Sequence, residues 1–138
     1  MAGFLMTHFP ICARRRRILA AMALLAAGLP AVGRAADATR GADLFDNYCG
    51  ECHTTRAGGG SRSAPNLFGL MGRRTGTVEG FAYSDANRAA GWVWSPETLD
   101  TYLAAPKTAM PGTVMKFQGV KDAAERADII AFLATLHG

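Results

Sequence analysis

The chain has 138 residues, 49% of them hydrophobic, with 15 Lys and Arg against 11 Asp and Glu, a formal net charge of +4 and a pI near 9.3. Five of the basic residues (Arg14, Arg15, Arg16, Arg17 and Arg34) and none of the acidic ones fall in the first 35 positions, so the remainder carries 10 basic and 11 acidic residues, net −1. That balance excludes a nucleic-acid binder, which needs a basic patch on the folded domain, and the roughly 100 residues left make one small domain.

Residues 1 to 35 read as a cleavable export signal. Arg14 to Arg17 form a positive cluster and Ile18 to Leu29 an apolar run with one glycine. Pro30, Gly33 and the small pair Ala35-Ala36 then supply a cleavage region, with cutting after Ala35 or Ala36. An uncleaved anchor is the competing reading, but the apolar run is short of the roughly 20 residues that span a bilayer. A domain over 36–138 with no membrane span, placed in a periplasm, is the expectation. Cys12 leaves with the leader, so Cys49 and Cys52 are the thiols that remain.

Thr39 is placed to cap a helix over about 40 to 51, with Asp43 near its positive end. Gly41, Leu44, Phe45 and Tyr48 recur on it at helical spacing. Glycine costs about 1 kcal/mol inside a helix, and the close approach of another helix would justify Gly41. This helix leads into Cys49-Gly50-Glu51-Cys52-His53. Two cysteines three positions apart with histidine next are the attachment pattern of a c-type haem. The thiols add across the two vinyl groups and the imidazole serves as an axial ligand of the iron. A structural zinc site needs four ligands, and the rest of the chain has no second pair. A thioredoxin-like redox pair follows a strand, and no β-rich run precedes Cys49. A disulfide at this spacing is awkward and leaves His53 without a role.

From Thr54 to Thr77 the sequence turns to loop, through Gly58-Gly59-Gly60-Ser61, Ala64-Pro65-Asn66-Leu67 and Gly69, Gly72 and Gly76. An irregular stretch that long in a compact domain usually serves function, and lining a haem would be such a service. The Pro65 carbonyl, if near His53 Nδ1, would fix the tautomer of the imidazole. Ser84 to Ala90 reads as a short helix closed by Gly91. Ser95-Pro96-Glu97 opens another that carries Leu99, Tyr102 and Leu103 and stops by Ala105, before Pro106. Asp122 and Glu125 form a cap-and-N3 pair for a last helix over about 123 to 136. Its apolar face is Ala127, Ile129, Ile130, Phe132, Leu133 and Leu136.

Between these helices, Met110-Pro111-Gly112-Thr113-Val114-Met115-Lys116-Phe117 offers soft thioether sulfur, a good sixth ligand for low-spin haem iron. With this stretch the chain resembles a class I c-type cytochrome, of the group containing mitochondrial cytochrome c and its bacterial periplasmic relatives. The likeness runs from Gly41 to Leu136. Besides the Cys49 to His53 motif it is carried by Pro65-Asn66-Leu67, Gly69, Gly72, Arg73, Thr75-Gly76, Gly80-Phe81, Tyr83, Asp85-Ala86-Asn87 and Trp94. It continues through Glu97-Thr98-Leu99, Tyr102-Leu103, Pro111-Gly112-Thr113, Met115, Phe117, Gly119 and Ala131.

The resemblance implies an all-α fold, with the first and last helices packed crosswise and shorter helices and long loops around one covalent haem c. It implies His53 and Met115 as axial ligands, with Met110 the rival of Met115. Tyr83, Trp94 and Arg73 resemble donors to a buried haem propionate. Asn87 and Tyr102 resemble groups beside the methionine sulfur, and Thr113 a distal-side hydroxyl. The implied function is one-electron transfer, without catalysis, by a monomer between redox proteins such as an oxidase, reductase or dehydrogenase of a respiratory chain. A peroxidase or gas-binding cytochrome is the alternative should the distal methionine be labile.

Overall fold

The computed structural model describes residues 34–137. The leader reading therefore lies outside the described residues except at Arg34 and Ala35. The first helix, α1, runs Ala38–Tyr48, and its cap is Asp37 rather than Thr39: Asp37 Oδ1 accepts from the amides of Thr39 at 2.9 Å and Arg40 at 3.2 Å. Both residues are of the capping type, and the carboxylate two positions earlier takes the orphan amides first. α1 also stops before the cysteine motif instead of running through it. Cys49, with φ −126°, leaves the helix while its amide still bonds the Phe45 carbonyl at 2.7 Å.

Ser84 caps α2, Asp85–Ala89, by accepting from the Asn87 amide, and Gly91 follows with φ +67°. Ser95 caps α3, Pro96–Ala104, and the reciprocal bond comes from Thr98, whose Oγ1 accepts the Ser95 amide at 2.8 Å. Pro106 does end α3, but it also opens a short helix that the sequence reading did not anticipate, α4, Pro106–Ala109. Proline lacks the amide that a first-turn position leaves unbonded anyway, so one residue can close one helix and begin the next. α5 runs Ala123–Ala134 on an Asp122 cap, two residues shorter at its end than expected. Its Glu125 does not complete a capping box: its carboxylate accepts instead from the Tyr48 hydroxyl at 3.2 Å. Among the described residues β structure is limited to one bridge, Arg74 with Val93, and the fold is all-α.

The terminal helices α1 and α5 pack against each other, and α3 packs on α5. Gly41 is what permits the first contact, since a Cβ there would stand 2.0 Å from the Asp128 carbonyl oxygen. One turn on, the rings of Phe45 and Phe132 meet at 5.3 Å. Ile129 is completely buried between the helices, with Leu133 beside it, while Tyr48, the last of the α1 periodic positions, is 44% exposed. Leu99 and Leu103 carry the α3 side of the same core, and Trp94 stacks edge-on to Tyr102 with centroids 5.2 Å apart. The irregular stretch after the motif stays irregular, as its glycines require.

Candidate functional site

The end of α1, the loop after it and the stretch after α4 enclose a cavity of about 560 Å³, within the roughly 300–1,000 Å³ of a cofactor site. Its walls are mainly apolar, from Phe45, Leu67, Leu70, Leu99, Leu103 and Ile129. Cys49, Cys52 and His53 all line it. What gathers them is a tight turn, in which the amides of Cys52 and His53 both bond the Cys49 carbonyl, at 3.0 and 2.9 Å. Both cysteines are free thiols, Cys49 buried and Cys52 exposed. Burial pushes the Cys49 thiol up to about 12, helped by Cys52, so it is held protonated at neutral pH.

His53 Nδ1 lies 2.8 Å from the Pro65 carbonyl oxygen. A carbonyl can only accept, so Nδ1 carries the proton and Nε2 keeps a free lone pair. Burial holds the imidazole pKa below its ordinary value, against a smaller opposing effect of the Pro65 carbonyl, and a neutral ring is the form that binds metal. Pro65 is held in turn by its neighbour: the Asn66 side-chain amide donates to the carbonyls of Arg56, at 3.0 Å, and Gly59, and its oxygen accepts the Phe68 amide at 2.8 Å.

Met115 lines the same cavity, whereas Met110 does not; Met110 is 4% exposed and sits in the hydrophobic core. The Tyr102 hydroxyl is 3.5 Å from the Met115 sulfur and 3.0 Å from Thr113 Oγ1, and Asn87 Nδ2 reaches the same Thr113 oxygen at 3.4 Å. So α2, α3 and the loop after α4 each contribute one member of a polar chain that ends at the thioether. Arg73, Tyr83 and Trp94 complete the lining. Arg73 is anchored by its own loop, donating to Phe68 O at 3.0 Å and Asn66 O at 2.9 Å. Each terminal nitrogen of a guanidinium has two N–H groups, so one on each remains for an anionic ligand. Burial lowers the Arg73 pKa, with Tyr83 opposing, and raises that of Tyr83, with the Val78 backbone and Arg73 opposing.

The family described as Cytochrome c matches residues 38–137. The chain is 52% identical over 97 residues to a cytochrome c of Stellaria longipes, an alignment covering 70% of this chain and 90% of the relative. It is 48% identical to one of Gibberella zeae over 70% of this chain and 92% of the relative. It is 50% identical to one of Chlamydomonas reinhardtii over 72% and 88%. The chain belongs to the cytochrome c family. It is an electron carrier that works with redox partners, not an enzyme, and the family binds haem c covalently.

Membership also corrects one expectation. The periplasmic placement drawn from the leader does not stand, because these relatives come from a flowering plant, a fungus and a green alga, eukaryotes without a periplasm. Among the described residues no helix is long and apolar enough to cross a membrane. The residues present fit a haem: two unpaired thiols, a neutral imidazole with a free nitrogen and a thioether line one apolar cavity. The site draws further on side chains the sequence reading did not single out for it. Phe45, Leu99, Leu103, Ile129 and Leu133 were read as helix core, and the same residues form cavity wall. Asn66 belongs to the family resemblance in sequence, and only the fold reveals that it ties the loop together.

Proposed function

We propose that this cytochrome c carries single electrons on a haem joined through Cys49 and Cys52, with His53 and Met115 as the axial ligands of its iron. The observation that carries the reading is the meeting of these four side chains in one apolar cavity, with Met110 outside it. When bound, the haem supplies a one-electron centre. Pro65 holds the His53 proton on Nδ1, so that Nε2 is kept for the metal. Tyr102, Thr113 and Asn87 hold the Met115 side chain. His53 and Met115 would both hold the iron of a bound haem and leave it no position for substrate, so the chemistry supplied would be outer-sphere transfer of one electron. Arg73, Tyr83 and Trp94 serve the propionate side, where an unpaired carboxylate would be costly to bury. The apolar walls exclude water, which keeps the reorganisation accompanying transfer small. The protein acts as a monomer, and residues 1–35 are a cleavable leader. The Arg14 to Arg17 cluster, the apolar run after it and the exposure of Ala35 and Ala36 support that reading.

A redox titration of the purified holoprotein, followed by its visible spectrum, tests the assignment. One single-electron step, a low-spin spectrum in both states and pigment that acidified acetone does not extract are expected. A five-coordinate ferric form, or carbon monoxide binding to the native ferrous protein, would instead favour a peroxidase or gas-binding cytochrome.

A further inference from the structure

Asp128 is the one charged residue among the largest fully buried side chains of the described residues, with 0% exposure. It lies on α5 where Gly41 of α1 packs against it, and it is not among the residues that line the cavity. Its three donors come from one short segment. The Asp37 amide donates to Oδ1 at 2.8 Å, while Arg40 Nε and Arg34 Nη2 donate to Oδ2 at 2.6 and 2.7 Å. Burial raises the carboxyl pKa; the Asp37 amide, Arg40 and Arg34 outweigh it and hold the group below its ordinary value.

That segment crosses the leader boundary. Arg34 lies on the leader side of Ala35-Ala36, with its side chain half exposed, while Asp37 and Arg40 lie on the domain side. Removing the leader takes one of two cations from this buried carboxylate and leaves Arg40 and the Asp37 nitrogen on it. The same cut creates another cation. Water adds across the peptide bond after Ala35 or Ala36 under a peptidase that accepts small residues. The new carboxylate departs with the leader, and the new amine takes a proton. After a cut at Ala36 that ammonium is the nitrogen already 2.8 Å from Oδ1. After a cut at Ala35 it is the neighbouring backbone nitrogen, within about 3.6 Å of the first.

We propose that Asp128 is the seat of the amino terminus released by leader removal: its carboxylate exchanges the Arg34 guanidinium for the α-ammonium of residue 36 or 37. This rests on reading residues 1–35 as a cleavable leader. The other charged groups around the seat are engaged elsewhere. The Asp37 carboxylate caps α1, with Arg40 Nη1 at 3.9 Å. Glu125 on α5 accepts from Tyr48, and Arg126 pairs with Asp100 of α3 at 2.7 Å. Glu97 of α3, across the cleft that Ala36 lines, accepts from Ser95.

An α-amine seated on a carboxylate has a folded pKa above its ordinary range of about 7.7–8.0. The stability it contributes is full below that range and is lost as pH rises through the raised value. The full chain should be matured with haem in a competent host, and the purified holoprotein taken for intact mass. The pH dependence of acetylation at its amino terminus is then followed by peptide mass spectrometry. We expect a terminus at Ala36 or Asp37, an α-amine titrating about one unit high and hence reacting about fivefold more slowly near pH 8 than a free one, and restoration of ordinary reactivity in Asp128→Asn. The wild-type titration stands by itself should that variant not fold. A chain that retains Arg34 would overturn both the leader reading and the seat. A chain cut at the expected bond whose α-amine titrates in the ordinary range would overturn the seat and leave the leader reading intact.

Discussion

Met115 and Met110 lie five positions apart, on either side of a Pro-Gly turn, yet their surroundings differ: one thioether lines the cavity beside the Tyr102 hydroxyl, and the other is buried in the core. Met115→Ala should therefore abolish the sulfur-to-iron charge-transfer absorption of the oxidised protein, and Met110→Ala should leave that band and cost stability alone. The reverse pattern would transfer the ligand role to Met110. At this scale the gathering of Cys49, Cys52 and His53 was legible, because their spacing puts all three on one turn at the cavity. Asp128 was not. A charged side chain inside an apolar helix face reads as solvated, and its partners at Arg34, Asp37 and Arg40 are brought to it only by the packing of α1 on α5.

The two terminal helices depend on one small residue. A methyl group at Gly41 would fall 2.0 Å from the Asp128 carbonyl oxygen and 2.9 Å from Phe132 Cβ, and backbone cannot swing aside as a side-chain tip can. Gly41→Ala should lower unfolding stability by about 3 kcal/mol, the upper end of ordinary overpacking, read as a fall in the denaturant midpoint of the holoprotein. An unchanged midpoint would show that α1 can slide along α5 without loss. The glycine was legible as a close-approach position because it interrupts a helical pattern at a cost of its own. Helix ends were less legible. Asp37 and Thr39 are both good caps, and Pro106 carries a stop signal and a start signal at once.

For the molecule as a whole, the cavity dominates. Residues that a sequence assigns to core, such as Leu99 and Leu103, turn one side toward a space of about 560 Å³. Left unfilled, such a space deprives its lining of packing partners and opens apolar side chains to water, and both weaken the fold. The Cys49→Ala, Cys52→Ala double variant, which cannot be alkylated by the vinyl groups, should show no cooperative unfolding transition by circular dichroism; a sharp transition would mean that the helices close on themselves. The proposed anchors lie on two separate segments. Cys49, Cys52 and His53 share a single turn, held by two bonds to one carbonyl, whereas Met115 approaches from beyond α4. Denaturation can thus pull the latch open while the tether holds, and a chain that refolds never has to find its pigment again.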